Sequence, residues 1–432
     1  MSDSVSGSAE PSGRYPTMSE RLALTGGNPA VALQPSPWPI SGDQEVEWMT
    51  EVVRSGKWSW MGPHETAFAE QFCQFLGANH GMCVSNGTVS IQCALQAVGV
   101  EPGDEVIVPG LTWVATAQAA LDIGAQVVLV DIDPETLCID PDAAAAAITP
   151  RTRAIIPVQL YGCMCDMDAL GELARKHDLR IVEDVAHQHG SQWRGVCAGA
   201  LGDAGSFSFQ QSKVLTSGEG GFVTCRDEEA FQTAFALKQV GWTPPPDMKP
   251  AGHYGHNYRI TEMQCVLLRG GLSRLAEQTE QRDANVQYLA AGLERIGGPL
   301  RAARRDPRVT RQAYYAMTMV FDPQKGEGIT RDQYLQALAA EGFSAGGPYD
   351  PVYRNPLLNL YDRTSPIPYR PDVPQDYAAL RLPGCEQAKN ETAVLMSHTR
   401  LLAERAYMDQ LLEGVEKVNG QLGEVRKHFA EV

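Results

Sequence analysis

Between residues 80 and 230, short apolar runs alternate with segments whose apolar positions recur every three to four residues. "GMCVSNG", "DEVIVPG", "QVVLVDID", "AIIPVQLYG", "RIVEDVAH", "GSFSFQ" and "GFVTC" have the length and apolar density of strands buried on both faces. "SIQCALQAVGV", "VATAQAALDIG" and "MDALGELARKH", which lie between them, predict helices. This alternation predicts an α/β fold with a large, mainly parallel sheet covered by helices. From Thr261 to about Gly297 a helical pattern persists for nearly forty residues, with Gly270 and Gly271 as the place for a bend. "YYAMTMVFD" and "TRDQYLQALAAEGFSAGGPY" then predict a smaller C-terminal α+β domain. The expected division is a flexible tail over 1–36, a large domain over 37–295 that includes the long helix, and a small domain over 296–432.

Composition narrows the partners. The first residues are rich in Ser, Gly and Pro and lack the basic and apolar regions of a signal peptide, so they read as a tail. No run of 18 apolar residues predicts a membrane span. A formal net charge of −16 argues against nucleic acid and against an anionic membrane surface, while leaving room for a local anion pocket. The ten cysteines include no C-x-x-C and lie mostly within apolar runs, as reduced thiols of a cytoplasmic enzyme would. Cys163 and Cys165, with His187 and His189 downstream, match no zinc spacing, so no metal is expected. The basic stretch "RAARRDPR" reads as a solvated loop.

In parallel sheets, ligands gather at the carboxyl ends of the strands. There "VSNGTVSIQCAL" places Gly87 and Thr88 at a strand-to-helix turn, where free N–H groups attract anions; a plain cap by Asn86 or Thr88 is the ordinary alternative. Trp113 follows another strand, as a core residue or as a platform for a flat ligand. "RIVEDVAHQHG" ends a strand in Glu183 and Asp184, which must be solvated, paired or used, with His187 close behind. "FSFQQSKVLTSGEGG" carries Ser208 and then Lys213. A lysine beside a buried strand is costly, because burial disfavours the ammonium. It therefore reaches water or a partner, or is kept there as an amine. Taken together these positions offer a lysine, a carboxylate, a phosphate cup and a stacking surface. Pyridoxal 5′-phosphate needs all four.

The motifs "SNGT", "TW-x-AT", "EDVAHQHG", "FSFQQSK-x-LT-x-GEGG" and "HNYRITEMQ", in this order, closely resemble the DegT/DnrJ/EryC1/StrS family of sugar aminotransferases, over roughly residues 36 to 432. "QQSKVLTSGEGG" and "LTWVATAQA" look most like members that aminate scyllo-inosose or 2-deoxy-scyllo-inosose for aminocyclitol antibiotics. The resemblance implies the aspartate-aminotransferase-like fold type I and a homodimer with composite sites. It implies Lys213 as the Schiff-base lysine, Asp184 as partner of the pyridine nitrogen, and Trp113 over the ring. Gly87, Thr88 and Ser208 match the phosphate cup, and Asn257 matches the asparagine that reaches it from the neighbouring subunit. His187 stands near the cofactor's phenolic oxygen, where many nucleotide-sugar members carry Gln. L-Glutamine is the implied donor, with glutamate or alanine as alternatives. Tyr349 and Tyr353 are candidates for the ketone's hydroxyls, and Arg259 and Arg400 for the donor's carboxylate. Two other readings keep the cofactor: a nucleotide-ketosugar aminotransferase, and a dehydratase like 3-amino-5-hydroxybenzoate synthase. A regulator without turnover would need a fused DNA-binding module, for which the tail is too short.

Overall fold

The computed structural model describes residues 21–358 and 374–431. All seven apolar runs form strands of one sheet. They are β1 (His80–Val84), β2 (Glu105–Pro109), β3 (Gln126–Val130), β4 (Thr152–Ile155), β5 (Arg180–Asp184), β8 (Ala204–Ser208) and β9 (Gly221–Cys225). β6 (Gln192–Trp193) and β7 (Val196–Cys197) form a separate small sheet with β11 (Val309–Arg311). The large sheet has the order β1-β9-β8-β5-β4-β2-β3, in which β9 alone runs against its neighbours. β2, β3 and β9 are buried at every position, as strands covered on both faces must be.

Two features of the connections matter for the site. β1, β2, β5 and β8 all run in one direction, so the loops after them share one rim. The helices α3 (Gly87–Ala97) and α4 (Ala115–Asp122) begin at that rim, whereas α1 (Asp43–Ser55) and α2 (Pro63–Leu76) precede the sheet in the chain. The predicted "MDALGELARKH" helix is α6 (Met167–His177), capped by the Asp166 carboxylate; α5 (Pro141–Ala146) and α7 (Glu228–Lys238) complete this part.

The long helix is α8 (Glu262–Ile296), 35 residues, opened by Thr261, whose N–H and hydroxyl both bond Gln264 Oε1, and running on through both glycines. A methyl group at Gly270 would lie 2.2 Å from Glu45 Oε1, so glycine here lets α1 and its Glu45–Arg274 ion pair approach α8. The expected boundary at residue 295 falls in the last turn of this helix. Beyond it, β10 (Leu300–Ala302), β12 (Ala316–Phe321) and β13 (Ala393–Ser397) form an antiparallel sheet. With α9 (Arg331–Ala340), α11 (Arg405–Asn419) and α12 (Leu422–Glu431) it encloses a core of its own. The short α10 (Pro383–Gln387) lies between them in the chain.

Residues 21–34 differ from the expected tail. Leu22 and Val31 are buried in this second core, and the buried Glu341 carboxylate accepts the N–H groups of Ala23 and Ala30. Two apolar anchors and one carboxylate suffice to hold a segment whose composition is that of a loop. "RAARRDPR" is likewise tied down, since Arg305 pairs with Asp283 and Arg308 with Asp166, Asp168 and Asp306. No helix among the described residues is long and apolar enough to cross a membrane.

Candidate active site

The rim of the large sheet opens into a cavity of about 640 Å³. Gly87, Thr88, Trp113, Asp184, His187, Ser208, Lys213 and Tyr349 all line it, although they span more than 260 residues of sequence.

β5 supplies the carboxylate. Adjacent strand residues point to opposite faces, and this separates the two neighbouring acids. Glu183 turns away from the rim and accepts N–H bonds from Gly199, Leu201 and Gly202 at 2.8–3.0 Å. Asp184 faces the cavity, where Oδ2 accepts from Thr116 Oγ1 (2.8 Å) and Oδ1 from the Ala186 N–H (3.1 Å). Burial raises its pKa, opposed by these two bonds and by the charge of Lys213. Such a carboxylate is poised for a cationic partner, which would restore its charged form.

Lys213 follows β8 in a tight loop, its N–H bonded to the Gln210 carbonyl (2.9 Å). Burial pushes its ammonium down to about 8, while the charges of Asp184 and Glu219 pull the other way. Its Nζ lies 4.7 Å from the ring centroid of Tyr315. The lysine is thus closer to the neutral amine than a surface lysine, with an aromatic face beside it.

His187 is buried and held neutral, mainly by desolvation and then by the nearby Lys213 charge. Its Nδ1 accepts the Tyr161 N–H (3.2 Å), so Nε2 carries the ring proton and is the available donor. The ring stacks on Tyr315, centroids 3.9 Å apart. Tyr161, at φ +52°, ties this wall together: its carbonyl accepts the Tyr315 N–H and its hydroxyl the Tyr349 N–H. A non-glycine residue in that region of backbone space is held there by its surroundings.

The opposite end of the cavity is the first turn of α3. Asn86 caps the helix by accepting the Val89 N–H (3.0 Å), which leaves the earlier N–H groups of Gly87 and Thr88 facing outward. A methyl group at Gly87 would lie 2.7 Å from Ser208 Cβ. Glycine is therefore what allows the start of α3 and the Ser208 side chain to come this close.

The structure does not bring every candidate here. Tyr353 is buried in the main core, with its hydroxyl on Glu386 (3.0 Å) and the Leu382 N–H (3.3 Å), and does not line the cavity. Arg400 also lies outside the lining, against Tyr407, and Arg259 rests over the Trp60 ring at 5.1 Å. Asn257 is exposed and outside the cavity of its own chain. Sequence reasoning in turn missed Thr116, Tyr315, Ser212, Gln210 and Glu219, all in the lining. Thr116 was in plain view as the last residue of "TW-x-AT", one helical turn from Trp113. Tyr315, about a hundred residues from Lys213, carries no local signal.

Comparison with known proteins identifies the family. The profile of the DegT/DnrJ/EryC1/StrS aminotransferase family matches residues 39–404. A protein of Streptoalloteichus tenebrarius, provisionally named L-glutamine:3-amino-2,3-dideoxy-scyllo-inosose aminotransferase, is 44% identical over 95% of this chain and 100% of its own. The L-glutamine:2-deoxy-scyllo-inosose aminotransferase of Micromonospora echinospora is 36% identical over 94% of this chain and 99% of its own. Among solved structures, 3-amino-5-hydroxybenzoic acid synthase superposes with a TM-score of 0.79 at 32% identity, covering 91% of this chain and 100% of that one. S. venezuelae DesV does so at 0.75 and 30%, covering 87% and 94%. The architecture is fold type I and the chain is an aminotransferase. It belongs to the DegT/DnrJ/EryC1/StrS family.

Proposed function

We propose that this enzyme binds pyridoxal 5′-phosphate in the cavity and moves an amino group from L-glutamine to a free, polyhydroxylated six-membered-ring ketone of the scyllo-inosose class. Glutamate and alanine are the alternative donors. The observation that carries the substrate reading is the full-length likeness to relatives with such names. The relatives at 40–44% identity are named for a ring that already bears one amine, and those at 35–37% for 2-deoxy-scyllo-inosose. The aminated ketone is therefore the better first choice.

The residues present fit the cofactor. The Gly87–Ser208 approach leaves an anion cradle for a phosphate, and Asp184 is a buried acceptor suited to a protonated ring nitrogen. Trp113, half exposed at the cavity wall, offers a stacking face. His187 would donate from Nε2 to the phenolic oxygen, and Lys213 would hold the cofactor covalently. When bound, pyridoxal phosphate supplies an electron-accepting ring for the charge left on an amino acid's α-carbon. Lys213 would take and return that proton as general base and acid. The ten free thiols fit a reducing compartment, and we place the enzyme in the cytoplasm.

A panel of ketones tests the substrate reading. The aminated or 2-deoxy scyllo-inosose is expected to exceed any dTDP- or UDP-linked ketosugar by at least about a hundredfold in kcat/KM, roughly 2.7 kcal/mol. A site that hydrogen-bonds hydroxyls rejects rings without them. A nucleotide-linked ketone as best acceptor would refute the substrate class. A product that has lost water, where oxygen should have been exchanged for nitrogen, would favour the chemistry of the hydroxybenzoate synthase.

The composite dimer has its own test. Asn257 stands on the surface, its Oδ1 accepting the N–H of Arg259, which rests over the exposed Trp60 ring, as a residue that serves a second copy would. Mixing Lys213→Ala and Asn257→Ala protomers should restore part of the activity, because one hybrid site then has both residues. No recovery after demonstrated subunit exchange would place Asn257 in cis or outside the reaction.

A further inference from the structure

Behind the cavity, α8 carries the largest fully buried side chain among the described residues, Arg282. Its Nη2 donates to Gln278 Oε1 (3.3 Å), but its Nε and Nη1 have no hydrogen-bond partner among the described residues. Burial lowers its pKa to about 9, and no carboxylate is among the causes. A buried arginine without an anion is costly, so its retention calls for a reason.

Two buried histidines lie within reach of its charge. His189 Nε2 bonds the Ser208 carbonyl at 2.9 Å, and His398 Nε2 bonds the Ser212 carbonyl at 2.9 Å. A carbonyl only accepts, so both rings carry their proton on Nε2 and present a bare Nδ1 acceptor. Neither Nδ1 has a partner among the described residues. Burial, with the Arg282 charge contributing, holds both rings near a pKa of about 3 and therefore neutral. The two carbonyls belong to the phosphate-cradle serine and to the residue immediately before Lys213. α8 also grips the segment after His398, through Asn285 to the carbonyls of Leu401 and Ala403 (2.9 Å each).

We propose that Arg282, His189 and His398 enclose buried water that joins the two arginine donors to the two Nδ1 acceptors, and that this brace positions the 208–213 loop. The chemistry favours water, which can accept from the unpartnered arginine nitrogens and donate to the two Nδ1 atoms. A halide would satisfy the arginine and leave both Nδ1 atoms bare. Arg282 is then a positioning residue, acting on Lys213 through the histidines and the loop.

The variants Arg282→Met and His398→Phe, as holoenzymes, test this assignment. Replacing an unpaired buried charge by an apolar side chain of similar length leaves global stability unchanged or higher. Arg282→Met should therefore keep or raise Tm, while amide exchange over residues 208–213 quickens at least about tenfold relative to the sheet strands. The brace also predicts a kcat lower by about tenfold or more with KM for the donor little changed, and the same pattern in His398→Phe. A crystal structure of the wild type should show water between Arg282 and the Nδ1 atoms. A bromide peak there after halide soaking would overturn the water assignment. Unchanged loop exchange in both variants, or a fall in Tm with uniform loss of protection, would overturn the positioning role. Failure of the ketone panel would leave these outcomes untouched, since they are read on the loop and on any amino-donor half-reaction.

Discussion

Lys213→Ala is expected to lose at least about 10⁴-fold in turnover while the protein remains folded. General acid–base catalysis alone accounts for about 10²–10⁴, and the same amine would also hold the cofactor. The expectation for stability follows from its environment. Burial holds the Lys213 pKa at about 8, below the unfolded value of about 10.4. The charged lysine is then a cost to folding that is fully present below pH 8, shrinks as pH rises, and is gone above about 10.4. Its removal from the apoenzyme should leave Tm equal or higher at pH 7, and that advantage should vanish near pH 10.5. Calorimetry across this range, with single-turnover measurements on the holoenzyme, provides the check. A residual rate within tenfold of wild type would remove Lys213 from the chemistry. A Tm difference that does not respond to pH would contradict the buried-amine account of its environment.

What could be read from the sequence, and what could not, follows from the range of the interactions involved. Strands buried on both faces appear as continuous apolar runs, so β1 to β5, β8 and β9 could all be placed, and with them the rim. Chemistry at a strand end stands out because a polar group there breaks the apolar pattern, as Asp184 does after Ile181 and Val182. The two adjacent acids could not be told apart until strand alternation sent Glu183 to the backbone of 199–202. Tyr315 reaches the site through tertiary packing alone. Its stacking on His187 and its place beside Lys213 depend on how the second sheet docks, which no local pattern encodes. Tyr353 lies outside the cavity lining for the same reason: packing engages its hydroxyl with Glu386. The segment 21–34 reads as a loop because its two buried anchors are outnumbered by small and polar residues. The carboxylate that fixes it lies more than 300 residues away.

Asp184→Asn should retain bound cofactor and lose about a thousandfold in the rate of α-proton removal. Asparagine keeps the shape, and its oxygen can still accept from Thr116 or from the Ala186 N–H, so the local fold is conserved. What it loses is the negative charge. An ion pair at about 4 Å is worth roughly 4 kcal/mol at an intermediate dielectric, and each 1.36 kcal/mol is tenfold in rate, which gives the thousandfold. The burial that raises the Asp184 pKa works in the same direction, because a charge in a dry site acts more strongly on its partner. Thr116→Val provides the graded control: it removes one bond to the carboxylate and leaves its charge, and a smaller loss of about tenfold is expected. Rapid mixing with the amino donor separates the proton step from cofactor binding, which is followed by absorbance and by retention on gel filtration. Near-normal proton removal in Asp184→Asn, or complete loss of cofactor, would show that the carboxylate is not acting on the ring nitrogen.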